Sequence, residues 1–211
     1  MAWQTNIQNI AEKEMKDRGN DPSHDYAHAC NVLDSCQKIA AVEGGDMDIL
    51  MPAALFHDVV IYPKNHPNSI NAAQESADLT KTILQDQADY PQDKVEAVVE
   101  CIQSCSFSKQ DEPKTIEIAV LRDADRLAAT GAIAIMRTFA SSGQMQRPLY
   151  NREDPFAVTR ETDANKYALD LFYERLFIAR DRMYTQTAKD IAKERTEFLK
   201  LFLTQLETEL K

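Results

Sequence analysis

The stretch AALFHDVVIYPKNHPNS, residues 53–69, sets His57 and Asp58 side by side behind a small apolar run. Leu50, Ala53, Ala54 and Phe56 give the preceding segment apolar character nearly all round, as expected of a buried helix. An ionised Asp58 in or beside that environment is costly unless something compensates it. A divalent cation would do so; an arginine partner is the plainer alternative. The prolines of YPKNHPN then punctuate a loop.

Outward from this stretch the same pattern continues. Only five glycines occur, and apolar residues recur at three and four rather than alternating. Residues 2–18 read as a first helix. Ser23 is a candidate cap for a second, running to about Glu43 and ended by Gly44-Gly45. Asp46 or Asp48 opens a third, carrying DILMPAALFHDVV. Helices are expected over 69–89, from Pro91 through PQDKVEAVVECIQSC, over KTIEIAVLRDADRLAAT up to Gly131, and over about 132–142. QMQRPLYNREDPFAVTRETD is the longest irregular segment, and its Leu149, Tyr150, Phe156 and Val158 suit a loop packed on the core better than a linker. Two last helices are expected at about 163–181 and 185–209. The fold class is all-α, a bundle of about nine helices.

The chain has 211 residues, 44% of them hydrophobic, enough for one ordinary core. We expect a single domain over 1–211, with C-terminal helices 163–211 packed as an extension. The net charge of -10 argues against nucleic acid or anionic lipid as a partner bound through overall charge. No apolar run is long enough for a membrane span, and the start lacks the pattern of a signal peptide, so a cytoplasmic protein is expected. Cys30, Cys36, Cys101 and Cys105 form no C-x-x-C pair and read as reduced structural thiols.

All four histidines lie between 24 and 66. His24 and His28 stand four apart in SHDYAHA, on one helical face, and for His24 and His66 the plain reading is a capping or surface role. A second costly cluster is LRDADRLAATGA, where Arg122, Asp123, Asp125 and Arg126 sit among apolar residues. An ion-pair network is one explanation of it.

The ordered set H…HD…D resembles the HD-domain superfamily of metal-dependent phosphohydrolases. One bacterial branch, which includes nucleotide pyrophosphohydrolases, carries blocks similar to SHDYAHACNV, FHDVVIYPKNHP, CSFS, DADRLAATGAIAI, YNREDPF and KYALDLF in that order. The dipeptide HD alone is worth little; the ordered set is specific and spans about 23–175.

This resemblance implies one divalent metal held by His28, His57, Asp58 and Asp125. Two imidazoles and two carboxylates suit manganese first, with Mg, Fe, Co, Ni or Zn as alternatives. On a helix His57 and Asp58 point roughly 100° apart, so one ion could take both only in a groove between helices, with His28 and Asp125 supplied from elsewhere. An ion there lowers the pKa of its water and polarises a phosphoryl oxygen, which implies hydrolysis of a phosphate compound. Asp58, Lys64 and Arg126 are the expected catalytic residues. Lys64, Arg126, Lys166, Tyr167 and Cys105 are the expected substrate contacts, and those cations would offset the acidic field against a phosphate.

The sequence departs from the branch at two positions. The first block usually reads H-x-x-R-V, and Asn31 replaces the arginine; Cys105 stands where the CSFS block usually begins with histidine. The expected function is hydrolysis of a small nucleotide or related phosphate, with nucleoside triphosphate pyrophosphohydrolase as one form. The alternative is a metal-bound regulatory or ligand-binding protein with little catalysis. The sequence sets no oligomeric state.

Overall fold

The computed structural model describes residues 2–18, 23–62, 66–105 and 111–210. These residues are helical without a strand, in two compact units, 1–125 and 126–211.

The first unit is built around one apolar helix. Its helices are α1 (Ala2–Arg18), α2 (Tyr26–Glu43), α3 (Met47–Phe56), α4 (Ala72–Gln85), α5 (Val95–Ser104) and most of α6 (Ile116–Leu127). Every side chain of α3 from Leu50 to Phe56 is buried, and α1, α2, α4 and α5 all pack against it. That is the all-round apolar helix expected from sequence.

Pro52 lies inside α3 and has no N–H to give the Asp48 carbonyl four residues back. The Tyr90 hydroxyl donates to that carbonyl at 2.9 Å instead. Tyr90 in turn packs edge-to-face with the Trp3 ring, with centroids 5.1 Å apart. The chain thus tolerates a proline at the centre of its core because a distant phenol supplies the missing donor.

Two helix boundaries differ from expectation. Asp25, not Ser23, caps α2: its carboxylate accepts the His28 N–H at 3.0 Å. Asp46 caps α3 as expected, but α3 stops at Phe56, so His57 and Asp58 lie just beyond it. After that point the Val60 N–H donates to Ser76 Oγ on α4, which draws the chain off the helical path.

The second unit holds the end of α6, α7 (Gly131–Gln144), α8 (Phe177–Ala179) and α9 (Gln186–Glu209). Gly131 was expected to end a helix; it begins α7 with φ +69°, a backbone that disfavours any side chain. A Cβ there would also lie 3.1 Å from the Arg195 Cβ. Arg195 donates at 3.1 Å to the Leu127 carbonyl, which at the end of α6 also accepts from the Thr130 N–H and hydroxyl. Phe139, Phe172, Phe177 and Phe202 pack ring against ring between α7, α8 and α9.

The helix expected over 163–181 is much shorter. A π-helical turn begins at Phe172 and passes through α8 into a 3-10 turn ending at Arg182. Residues 163–171 instead belong to the irregular segment, tied down by Asp170. Its buried carboxylate receives Arg160 at 2.5 and 2.8 Å and the Asp163 N–H at 2.7 Å.

Candidate metal centre

Three elements of the first unit converge on one point. His28 comes from the first turn of α2, positioned by the Asp25 cap. His57 and Asp58 follow the C-terminus of α3, and Asp125 stands near the end of α6. The ligand atoms of His28, His57 and Asp125 all lie within 4.8 Å of one another. Asp58 Oδ2 is 3.4 Å from His57 Nε2 and 3.7 Å from His28 Nε2. Asp125 Oδ1 is 3.5 Å from His28 Nε2 and 3.8 Å from His57 Nε2.

Burial sorts the four. The imidazoles are sealed, with side chains 3% and 2% exposed, whereas Asp58 and Asp125 are 31% and 22% exposed. The carboxylates therefore form the solvent side of the cluster and the nitrogens its floor. Asp58 is less enclosed than its apolar neighbours imply, because the chain has already left α3.

The donor set fits a divalent ion. His57 Nδ1 donates to the Ala54 carbonyl at 2.8 Å, which fixes the tautomer and leaves Nε2 for a metal. That buried Nε2 faces the two carboxylates, 3.4 Å from Asp58 Oδ2 and 3.8 Å from Asp125 Oδ1. Two nitrogens and two carboxylates without thiolate suit a borderline or hard cation. The cysteines take no part: all four are free thiols, and burial pushes Cys36 and Cys101 well up, the latter to about 12.

Without a cation the cluster holds a proton. Burial pushes the His57 pKa down, but the Asp58 charge and its hydrogen bond, then Asp125, outweigh it and lift the value to about 9. Burial likewise raises Asp58 and Asp125, yet the imidazoles hold both below the ordinary carboxylate range. His57 raised above its unfolded value stabilises the metal-free fold below about pH 6.5, and that contribution disappears as pH rises through about 9. A divalent ion must displace this proton. Binding at pH 7 should release about one proton, and affinity should rise with pH until it levels off near 9. Calorimetry of Mn²⁺ binding in buffers of different ionisation enthalpy measures this; no proton release would reject His57 as a ligand.

One nearby histidine was underrated. His24 was read as a capping or surface residue, yet its ring meets His28 edge-on at 5.8 Å, and His28 meets His57 at 5.3 Å. Ser23 Oγ hydrogen-bonds His24 Nδ1 at 2.8 Å, the task that takes the place of capping. The i, i+4 spacing was the available signal.

The expected substrate contacts fare differently. Lys64 lies outside the described residues. Arg126 is buried in the second unit, donates to the Arg182 carbonyl at 2.8 Å and lies 4.8 Å over the Tyr184 ring. A phosphate contact from Arg126 would have to give up one of these. Lys166 and Arg160 both lie over Tyr167, at 5.2 and 4.9 Å, and Asn151 donates to the Tyr167 hydroxyl. Cys105 ends α5 and is buried.

The HD domain model matches residues 25–130, which contain His28, His57, Asp58 and Asp125. The chain belongs to the HD domain family. This HD-domain protein is 30% identical to the uncharacterised protein YpgQ of Bacillus subtilis (strain 168) over 194 residues, 89% of this chain and 84% of that one. The crystal structure of B. subtilis YpgQ in complex with ADP superposes with a TM-score of 0.73 at 27% identity, covering 98% of this chain and 97% of that one. The Lin1889 protein of Listeria innocua gives 0.71 at 29%, covering 98% and 97%. An HD-superfamily hydrolase of Bacillus thuringiensis, 24% identical, shares the fold at 0.72, covering 99% and 96%.

Proposed function

We propose that this HD-domain protein is a metal-dependent phosphohydrolase acting on a small nucleotide or related phosphate compound. Nucleoside triphosphate pyrophosphohydrolase is the specific form we favour. The observation that carries the reading is the convergence of His28, His57, Asp58 and Asp125, nitrogens inside and carboxylates at the solvent edge. The ADP held by its relative YpgQ supports a nucleotide.

Manganese is the metal we assign, on the mixed N/O donor set. When bound, such an ion supplies Lewis-acid polarisation of a phosphoryl oxygen and a water acidic enough to react near neutral pH. The protein's own part is to hold the four donors on α2, on the turn that follows α3 and on α6, and to keep the imidazoles dry. Of the cations expected from sequence we retain Lys64 for the phosphate oxygens, because Arg126 and Lys166 have ring and backbone partners in the second unit.

A screen of nucleoside mono-, di- and triphosphates with Mn²⁺, reading phosphate and pyrophosphate separately, tests the reading. Turnover of at least one class is expected, with pyrophosphate as the product from triphosphates. Asn31 and Cys105 favour the second reading, a ligand-binding protein with little catalysis. Metal and nucleotide binding without release of either product would select it.

A further inference from the structure

Four residues beyond Asp58 the chain carries Tyr62, and four beyond that His66. Their rings lie within 7° of parallel, with centroids 4.9 Å apart. Each ring is fixed at one edge. The Tyr62 hydroxyl donates to Glu75 Oε2 on α4 at 2.6 Å. His66 Nδ1 accepts the Asn68 N–H at 3.2 Å. The backbone leading in is fixed too, since Val60 N–H donates to Ser76 Oγ at 3.0 Å and that hydroxyl lies 3.4 Å from the Val60 carbonyl.

Core packing does not explain this arrangement. Both residues remain partly exposed, and Ile70 on the following turn is 86% exposed. Aromatic pairs that serve a core bury their faces. This pair is held rigid by polar bonds at its edges while part of it stays in water. A rigid aromatic surface loses little conformational freedom when a flat ligand settles on it.

We infer that the Tyr62–His66 stack is a platform for the base of a nucleoside phosphate whose phosphates reach the His28, His57, Asp58 and Asp125 cluster. The inference rests on the nucleotide reading above. Four residues of chain span at most about 14 Å, so the platform stays within nucleotide reach of Asp58. Every base presents a π-face, so stacking favours nucleotides over base-free phosphates without choosing strongly among bases.

The test uses the full chain saturated with Mn²⁺, with ADP and inorganic pyrophosphate as probes in calorimetry. Tyr62→Ala should weaken ADP about tenfold or more, the range for one stacked base. Its pyrophosphate affinity should stay within about twofold of the parent protein, which also shows that the site is folded. Tyr62→Phe keeps the ring, loses the hydroxyl's bonds to Glu75 and Asn68, and should bind ADP nearly as the parent does. Unchanged ADP binding by Tyr62→Ala overturns the platform alone, as does an equal loss for both probes. A parent protein that binds neither probe overturns the phosphohydrolase reading, and the platform with it.

Discussion

Asp58→Ala should lower hydrolysis by more than about a hundredfold and leave the helical content of the chain unchanged. Asp58 Oδ2 faces both imidazole nitrogens, at 3.4 and 3.7 Å, as Asp125 Oδ1 does at 3.5 and 3.8 Å, so it is one of two carboxylates that close the cluster. Its loss leaves His28, His57 and Asp125, still close enough to share an ion but with one anionic donor instead of two. Losing an outer-shell partner of a metal ligand already costs ten- to a hundredfold, and a direct ligand should cost more. The fold has less at stake. Asp58 follows the end of α3 and is about one-third exposed, so truncating it opens no sealed cavity. In the metal-free protein two effects oppose each other. Removing Asp58 relieves its repulsion of Asp125, and it also removes the strongest attraction for the proton on His57. Metal content, circular dichroism and turnover measured on one preparation separate these effects. Asp58→Asn, which keeps the shape without the charge, should resemble alanine in activity. Turnover within a few-fold of the parent would remove Asp58 from the chemistry.

The cluster was partly legible because an ionised group beside an apolar run is costly, and the cost demands a partner. Asp58 announced itself in this way; the resemblance carried by the ordered blocks, not the cost alone, singled out Asp125, His28 and His57. Periodicity located α1, α3 and α9 for the same kind of reason, since their apolar faces are continuous. What stayed hidden was decided over long range. Nothing at Phe56 marks the end of α3; the next proline is Pro63, and the Ser76 hydroxyl that captures Val60 comes from another helix. Ser23 and Asp25 are both good caps, and the ring of His24 decided between them by taking the serine hydroxyl. Arg126 looked available for phosphate because sequence cannot show where a long side chain lies down. Its guanidinium goes to the Arg182 carbonyl and the Tyr184 ring. The helix expected from 163 has sound periodicity in KYALDLFYERL, yet Asp170 holds its first part in turns. The argument used for Asp58 applied there as well, because Asp170 stands between Leu169 and Leu171.

Asp170→Ala should destabilise the protein by about 3–5 kcal/mol, the cost of breaking a buried ion pair from one side. The Asp170 side chain is fully buried and its Arg160 partner is 20% exposed. The contact is bidentate, at 2.5 and 2.8 Å, and the Asp163 N–H adds a third bond to the same carboxylate. Arg160 also reaches the Asp154 carbonyl and lies over the Tyr167 ring. Asp154 in turn accepts the N–H groups of Val158, Thr159 and Arg160, around a positive φ of 52° at Ala157. Truncating Asp170 therefore strands a guanidinium and frees an N–H at the point where the long irregular segment is fastened. Asp170→Asn should cost less, because the amide oxygen still accepts from Asp163 or Arg160. Arg160→Ala should cost as much as Asp170→Ala or more, since it leaves the fully buried charge alone. The pH dependence has a definite sign. Burial raises the Asp170 pKa, but Arg160 and the Asp163 N–H together hold it below the ordinary value. Its contribution is therefore present above about pH 4 and is lost as pH falls through the lowered folded value. Urea unfolding at pH 7 and again near pH 3 measures both effects. The gap between parent and Asp170→Ala should be wide at pH 7 and narrow in acid. A gap below about 1 kcal/mol at pH 7, the ordinary worth of an exposed pair, would show that this clamp does not hold the segment.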